Sequence, residues 1–362
     1  MSATPSIAPA PAGPTHTVHG YAALERDAPI TPFDFEQREP RPEDVAFDVL
    51  FCGICHTDLH SVGPWGQEFP IVPGHEMVGR VTGFGDQVTG LEVGDIVAVS
   101  VIVDSCGECE ACRDNTEIYC ENGPTNTYDG LDRIDGSRTR GGYAESLVAH
   151  QRFVHPVPDG LDLAGTAPLL CAGVTVWSPL RHWQIGPDSK VGVVGIGGLG
   201  HLGVKFAHAL GAHVVAFTTS PSKRDTILAL GADEVVVSTD AEQMAAHNRS
   251  LDFVLDTVST GYPMTPLMET LKLNGTLCSV GIPEEFEVSP LIMASRRLSL
   301  ASSGAGGTDD VREMLAFCAE HDIVAEVETV GPDQINQAFD RLARNDVRYR
   351  FVIDMGAAPT SA

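Results

Sequence analysis

The pattern of hydrophobic and polar positions changes near residue 170. Before that point, short apolar stretches such as VAFDVLF, MVGRVTGFG and DIVAVSVIV alternate with Gly, Pro and Asp, which is typical of β-strands joined by turns. After it, apolar runs alternate with longer segments of helical periodicity, and such alternation predicts a parallel, doubly wound sheet. We therefore expect an α/β chain whose first part is β-rich.

The second part gives a regular series of predicted elements. They are a strand running into a glycine turn (KVGVVGIGG), a helix (LGHLGVKFAHALGA), a strand (HVVAF), a helix (KRDTILALGA) and the strands DEVVV, LDFVLDTV, GTLCSVG and LSLASSG. Thr308 is the predicted N-cap of a later helix, on which Val311, Met314, Leu315 and Cys318 share one face. VRYRFVIDM predicts a closing strand.

The length of 362 residues exceeds the roughly 250 to 300 at which a single core stops growing, so two domains are expected. The predicted boundaries are a flexible N-terminal tail over 1–17, a β-rich domain over 18–172 and 308–362, and a doubly wound domain over 173–307. The opening segment lacks the basic start and apolar stretch of an export signal, which favours a cytoplasmic location.

The charge balance limits the classes of partner. With 49 acidic and 23 basic residues the net charge is −26, which disfavours nucleic acids and anionic membranes. No apolar run approaches the roughly 20 residues of a membrane helix, so no membrane partner is expected.

Four cysteines lie close together in CGECEACRDNTEIYC. Cys106, Cys109, Cys112 and Cys120 follow one another at intervals of three, three and eight. In a reducing cytoplasm such thiols are better explained as ligands of one metal than as disulfides. Zinc in a tetrahedral all-cysteine site is the natural occupant.

A glycine turn follows the first strand of the doubly wound part. Gly195, Gly197 and Gly200 form G-x-G-x-x-G between a predicted strand and a predicted helix. An ordinary tight turn is the alternative, but the β-α-β context favours a dinucleotide, whose pyrophosphate is attracted to the helix N-terminus.

The residues after the second strand indicate which dinucleotide binds. An NAD site has an acidic residue there for the ribose 2′-hydroxyl, and this chain has none. It has instead three hydroxyls, Thr218, Thr219 and Ser220, followed by Lys223 and Arg224. A solvated helix start is the alternative, but basic residues are disfavoured in a first helical turn, so a 2′-phosphate and hence NADP(H) are favoured.

Further candidate ligands occur in CGICHTDLH, PGHEMVG and LLCAGVTVW. These are Cys55, His75, Glu76 and Cys171. Taken singly, Cys171 is typical of a buried thiol, and the spacing of Cys52 and Cys55 also suits a redox pair or half of another metal site.

Together with the four-cysteine loop and the glycine turn, these segments resemble the zinc-dependent medium-chain alcohol dehydrogenase family over nearly the whole chain after its N-terminal tail. GICHTDLH, VPGHE, LLCAGVTVW, GGLGH and DVRYRFVID resemble its NADP-dependent, cinnamyl-alcohol-dehydrogenase-like group, which includes bacterial NADP-dependent alcohol dehydrogenase C. The resemblance implies a GroES-like catalytic domain, a Rossmann domain, two Zn²⁺ per chain, NADP(H), and a homodimer or homotetramer.

The resemblance also implies roles for single residues. Cys55, His75 and Cys171 would bind the catalytic zinc, Glu76 would be a transient ligand, and the four loop cysteines would bind the structural zinc. Asp58 would hold the far nitrogen of His75.

The proton relay and the pocket are implied in the same way. Thr57 and His60 resemble the relay, Trp65 resembles an aromatic wall of the substrate pocket, and His56 is expected at the cofactor pyrophosphate. The other expected cofactor contacts are Thr175, Gly195, Gly197, Gly198, Leu199, Gly200, Thr218, Thr219, Ser220 and Lys223.

The implied reaction is hydride transfer between NADPH and medium-chain or aromatic aldehydes, with primary alcohols as products. Enzymes acting on lignin precursors tend to have a bulky aromatic where Asn126 precedes Thr127 and Tyr128, so a broader aldehyde reductase is favoured. Two alternatives stay open. A polyol dehydrogenase is disfavoured by the missing acidic residue, and a non-catalytic dinucleotide-binding protein is disfavoured by the three zinc ligands.

Overall fold

The computed structural model describes residues 14–357. The strands are β1 (Thr15–Ala23), β2 (Ile30–Arg38), β3 (Asp44–Ile54), β4 (Met77–Phe84), β5 (Ile96–Val99), β6 (Ile102–Asp104), β7 (Thr125–Asn126), β8 (Ser146–His150), β9 (Val154–Pro156), β10 (Lys190–Val194), β11 (His213–Thr218), β12 (Glu234–Val237), β13 (Leu251–Asp256), β14 (Leu271–Ser279), β15 (Ser299–Ser302), β16 (Val327–Val330) and β17 (Arg350–Asp354).

The α-helices are mostly short. They are α1 (His56–Val62), α2 (Glu110–Arg113), α3 (Leu163–Thr166), α4 (Ala172–His182), α5 (Gly200–Ala209), α6 (Arg224–Ala229), α7 (Ala241–Ala246), α8 (Thr265–Met268), α9 (Pro290–Arg296), α10 (Thr308–His321) and α11 (Ile335–Ala343).

The chain divides into two compact units. Unit 1 comprises residues 1–171, 307–316 and 326–362, and unit 2 comprises 172–306 and 317–325. Helix α10 therefore contributes its first part to unit 1 and its last part to unit 2. The predicted apolar face of α10 is buried, since Val311, Met314, Leu315 and Cys318 are all at most 2% exposed.

Unit 2 is built on a six-stranded sheet in the order β12, β11, β10, β13, β14, β15, and every neighbouring pair is parallel. The predicted doubly wound α/β fold is confirmed. Strands in such a sheet are buried on both faces, which is why they appear in the sequence as near-continuous apolar runs. Its core includes Val215, Phe217, Val254 and Leu277.

Unit 1 contains a largely antiparallel sheet in the order β16, β17, β3, β4, β5, β9, with β8 also paired to β3. Strand β17, from the end of the chain, lies between β16 and β3. The core of this unit includes Val45, Phe47, Tyr143 and Phe351. Cys52 is buried in the same core.

Two local predictions differ from the structure. Residues 1–13 of the predicted tail lie outside the described residues, and β1 begins at Thr15, inside that tail. The strand starts there because it pairs with β2 and because the hydroxyls of Thr15 and Thr17 donate to Glu36. Thr308 is the first residue of α10 instead of its N-cap, since its hydroxyl donates to Glu117 (2.8 Å).

None of the helices in the described part of the chain is by itself long and apolar enough to span a membrane. Helices 163–170 and 172–182 reach the required length and composition only when they are counted as one bent pair.

Candidate metal and dinucleotide sites

Unit 1 brings four predicted ligands together. One ligand atom each from Cys55, His75, Glu76 and Cys171 lies within 4.8 Å of the other three. The sulfur atoms of Cys55 and Cys171 are 3.9 Å apart. Two sulfurs that each lie about 2.3 Å from a tetrahedral zinc are about 3.8 Å apart, so this donor set fits Zn²⁺. Cys52 does not belong to the group, so the arrangement does not favour a Cys52–Cys55 redox pair.

Short connections at the strand ends present these ligands. Cys55 follows β3 directly and is the N-cap of α1, while Glu76 precedes β4. Gly74, next to His75, has a φ of +101°, and a Cβ there would lie 2.6 Å from the Tyr143 ring. Only glycine fits this position, so the backbone turns His75 into the site.

Cys55 and His75, which lie side by side in this group, perturb each other's pKa values. The pKa of Cys55 lies well below its usual range because Cys171 donates a hydrogen bond to its sulfur and His75 is adjacent. Burial opposes the charged form of His75, but Asp58 and Cys55 raise its pKa to about 9. The Nε2 atom of His75 is buried without a hydrogen-bond partner among the described residues, which is the state expected of a nitrogen that serves as a ligand.

Glu76 forms a buried ion pair with Arg350, and these side chains are 0% and 2% exposed. Burial raises the pKa of Glu76 to about 7, although Arg350 favours its charged form. One carboxylate oxygen binds Arg350, and the other, Oε2, has no partner among the described residues. Glu76 therefore retains an oxygen for a transient ligand role.

Asp58 lies behind His75 and is fully buried. Its Oδ1 atom is 3.7 Å from Nδ1 of His75, which is the distance of an ion pair rather than of a hydrogen bond. The carboxylate also accepts from the backbone N–H of Cys55 (2.8 Å). Burial raises the pKa of Asp58.

The predicted relay and pocket residues follow Cys55 on α1. The Oγ1 atom of Thr57 is 3.6 Å from the Cys55 sulfur, and His60, one turn later, is exposed. Trp65 stacks on His60 with ring centroids 4.4 Å apart and is 56% exposed. His56 is exposed at the first position of α1.

The four-cysteine loop forms a second group in unit 1. The ligand atoms of Cys106, Cys109, Cys112 and Cys120 all lie within 4.8 Å of one another, and the Cys106 and Cys112 sulfurs are 3.8 Å apart. Backbone N–H groups of Glu108 and Cys109 lower the pKa of Cys106 to about 6. The set fits a tetrahedral zinc by the same distance criterion. All nine cysteines of the chain are free of disulfides.

A buried carboxylate anchors this loop. Glu117, in the short 3₁₀-helix before Cys120, is 0% exposed and accepts from Arg152 (2.7 Å) and from the backbone N–H of Thr308 (2.9 Å). Arg152 also donates to the carbonyl of Cys112 (2.5 Å). The cysteine loop is thereby tied to the first residue of α10.

In unit 2 the glycine turn has the shape that a pyrophosphate requires. Gly195 has a φ of +82°, and a Cβ on Gly200 would lie 2.2 Å from the Gly195 carbonyl oxygen. A Cβ on Gly197 would meet nothing within 4 Å, so its backbone faces open space. This matches the three glycine roles of a dinucleotide turn, and the residues fit NADP(H). Gly198 and Leu199 complete the turn before α5.

The predicted 2′-phosphate contacts after β11 differ in how available their side chains are. Thr219 and Lys223 are exposed. The Thr218 hydroxyl accepts from the Ser220 backbone N–H (3.1 Å), so it is engaged within its own turn. Arg224 donates to the carbonyl of Val235 (3.0 Å), which leaves Lys223 as the more available cation. Thr175 lies half-buried on α4.

Sequence reasoning missed three residues that contact the first metal group or Asp58 behind it. Arg350 pairs with Glu76, and the hydroxyls of Tyr128 and Tyr143 both bind Asp58. The one available signal was a basic residue at the start of the apolar strand RFVID.

Two family models match the chain. The alcohol dehydrogenase GroES-like domain covers residues 41–159, and the zinc-binding dehydrogenase model covers 198–320. The first falls in unit 1 and the second covers most of unit 2.

Individual proteins are similar to this chain over nearly its whole length. Aldehyde reductase YahK of Escherichia coli (strain K12) is 50% identical over 345 residues, covering 93% of this chain and 98% of the relative. Mannitol dehydrogenase of Petroselinum crispum is 50% identical over 333 residues, covering 90% and 98%. The solved structure of CAD from Helicobacter pylori complexed with NADP(H) is 32% identical, with a TM-score of 0.88 over 95% of this chain and 99% of that one.

Proposed function

The chain belongs to the zinc-binding alcohol dehydrogenase family, and we propose that it transfers hydride between NADPH and medium-chain or aromatic aldehydes. The observation that carries this proposal is the buried group of Cys55, His75 and Cys171, whose ligand atoms converge within 4.8 Å. These three side chains would hold a Zn²⁺ ion. When bound, Zn²⁺ supplies the charge that polarises the substrate oxygen, and NADPH supplies the hydride.

The protein side chains would manage the proton. We propose that the Thr57 hydroxyl, beside Cys55, gives the product oxygen its proton and that His60, exposed one turn later, exchanges it with water. Trp65, stacked on His60, would form an apolar wall for the substrate. His56 would contact the cofactor pyrophosphate.

The remaining cofactor contacts belong to unit 2. We propose that the glycine turn binds the pyrophosphate and that Lys223, with the hydroxyls near it, binds the 2′-phosphate. The exposure of Lys223 and the open space at Gly197 support this assignment. Thr175 on α4 completes the proposed set.

A homo-oligomer, either a dimer or a tetramer, is proposed on the basis of unit 2. Strand β15 is the last strand of its sheet, and edge strands of this kind pair readily with another chain. The residues before it include Ile282 and Leu291, which are 70% and 78% exposed. A cytoplasmic location is proposed as well, and the nine free cysteines support it. Light scattering coupled to size exclusion measures the number of chains.

The initial rate of NADPH oxidation at neutral pH tests the proposed reaction. Cinnamaldehyde, benzaldehyde, butanal and acetaldehyde are compared, and the fastest is repeated with NADH. We expect turnover of the larger aldehydes with NADPH and little with NADH. Absence of turnover with all four aldehydes contradicts the proposal.

A polyol dehydrogenase is the second candidate, because mannitol dehydrogenase of Petroselinum crispum is 50% identical. Mannitol oxidation with NAD⁺ and with NADP⁺ separates the two candidates. Metal analysis addresses the non-catalytic alternative, since the two cysteine-containing groups predict two zinc ions per chain and a non-catalytic protein needs only the structural one.

A further inference from the structure

The phenol of Tyr128 contacts the carboxylate behind the first metal group. Asp58 accepts four hydrogen bonds, two on each oxygen. Oδ1 accepts from Tyr128 Oη (2.8 Å) and Gly74 N (3.2 Å), and Oδ2 accepts from Cys55 N (2.8 Å) and Tyr143 Oη (3.2 Å). Oδ1 is the oxygen that lies 3.7 Å from His75 Nδ1. Of the two tyrosine hydroxyls, that of Tyr128 therefore binds the oxygen that faces the imidazole, and that of Tyr143 binds the other oxygen.

The ring of Tyr128 makes a second contact, with His75 itself. The two rings are nearly parallel, at 15°, with centroids 5.6 Å apart. Tyr143 shares the carboxylate but is not stacked on His75; its ring packs near Phe339 instead. Tyr128 therefore limits both the rotation of the Asp58 carboxylate and the tilt of the His75 ring.

The backbone beside Tyr128 is itself fixed. Thr127 is buried, its N–H donates to the carbonyl of Val101 (3.1 Å), and its hydroxyl donates to the carbonyl of Ser100 (2.5 Å). Ser61 Oγ lies 3.2 Å from the Tyr128 hydroxyl on the other side. Tyr128 is 6% exposed, so these contacts hold its phenol in one orientation.

We infer that Tyr128 is a positioning residue of the catalytic metal centre. It orients Asp58 Oδ1 towards Nδ1 of His75 and keeps the imidazole plane aligned so that Nε2 faces the sulfurs of Cys55 and Cys171. Groups that orient a metal-bound histidine in this way change metal affinity by 10- to 100-fold when they are removed. The inference rests on the proposed function, because it takes the group of Cys55, His75 and Cys171 to be a zinc site.

The test is the release of zinc to a chelator from the zinc-loaded enzyme. Tyr128→Phe removes one hydroxyl and keeps the ring, and Tyr143→Phe removes the hydroxyl from the other carboxylate oxygen as a matched control. We expect Tyr128→Phe to release one of its two zinc ions at least about tenfold faster than the wild type. The second zinc ion, in the four-cysteine group, is released at the wild-type rate and serves as the internal reference.

Two further measurements separate positioning from a general loss of structure. The dissociation constant of NADPH, measured by fluorescence, stays unchanged in Tyr128→Phe, while kcat falls in step with the faster zinc release. Ser61→Ala, a milder change on the other side of the phenol, accelerates release of the same zinc ion to a smaller extent.

Different failures have different meanings. If Tyr128→Phe and Ser61→Ala release zinc no faster than Tyr143→Phe while the wild type holds two zinc ions, the inference is overturned and the proposed function stands. If the wild type holds fewer than two zinc ions, the metal site is overturned and the inference with it.

Discussion

At the scale of single residues, we expect the choice between the two nicotinamide cofactors to depend on Lys223. It is exposed after β11, whereas its neighbour Arg224 is bound to the carbonyl of Val235. A chain with a net charge of −26 has little other positive charge to offer a 2′-phosphate.

Lys223→Glu is therefore expected to weaken NADPH binding by about 10- to 100-fold, because a charge-assisted bond is replaced by repulsion. NADH lacks the 2′-phosphate and should bind nearly as before. Fluorescence titration with each cofactor measures the two dissociation constants, and Lys223→Gln separates loss of charge from its reversal. Equal weakening of both cofactors would place the 2′-phosphate elsewhere.

His155 makes the folded chain sensitive to acid. It is 2% exposed on β9, its Nδ1 has no partner among the described residues, and burial together with nearby Arg312 lowers its pKa to about 3. Its unfolded pKa is about 6.5, so between these values only the unfolded chain binds the proton. The neutral, buried His155 therefore contributes to the stability of the folded chain. This contribution to stability is constant at higher pH and is lost as the pH falls below 6.5.

Between pH 7 and pH 5 the loss amounts to about 2 kcal/mol. The free energy of unfolding of His155→Leu should therefore fall by about 2 kcal/mol less than that of the wild type over the same pH interval. Urea unfolding at the two pH values gives the comparison, and because both proteins share every other acid-sensitive group, those effects cancel. Parallel losses would show that His155 does not remain neutral in the folded state.

At the scale of elements, the four-cysteine loop has little regular structure of its own. It contains the four-residue helix α2 and a three-residue 3₁₀-helix, its four sulfur atoms converge on one another, and the buried Glu117 connects it to the first residue of α10. A loop of this kind depends on its metal for folding, because the site exists only when the loop is folded.

Cys112→Ser should therefore lower the zinc content from two ions to one and reduce the unfolding temperature by roughly 10 °C or more. Cys318→Ser is the matched control: Cys318 is also fully buried, on α10, but belongs to neither metal group. That control should lose some stability and keep both zinc ions. A Cys112→Ser protein that unfolds like the wild type but is inactive would contradict a structural role.

Elements that are determined by a short stretch of sequence could be predicted from it. Contacts between residues far apart in the sequence could not. The parallel strands of unit 2 follow from apolar runs, and the cysteine spacing and the glycine turn are short patterns. The Tyr128 contact with Asp58 joins residues 70 positions apart, and the Arg350 contact with Glu76 joins residues 274 apart. No local pattern pairs such residues; only the tertiary packing of unit 1 brings them together.

At the scale of the whole molecule, the surface charge is strongly unbalanced. A net charge of −26 makes the folded chain repel itself, and this repulsion is weakened by salt, whose screening length is about 10 Å at 0.1 M.

Raising the NaCl concentration from about 0.02 M to about 0.3 M should accordingly raise the unfolding temperature, because the compact state gains most from screening. KCl at equal ionic strength should have the same effect, since screening does not distinguish the two cations. Differential scanning fluorimetry measures both series. A fall in the unfolding temperature with salt would show that attractive ion pairs outweigh the net repulsion.

The position of β17 sets the order in which the molecule can be completed during synthesis. This strand ends at Asp354, yet it lies between β16 and β3, and its first residue supplies the partner of Glu76. While the ribosome is still making unit 2, the first sheet exposes an unpaired edge of β3, and Glu76 lacks its counter-charge. The ion pair of Glu76 with Arg350 can therefore form only after β17 has left the exit tunnel, and a chaperone that shields the open edge of β3 until then would protect the nascent chain from aggregation.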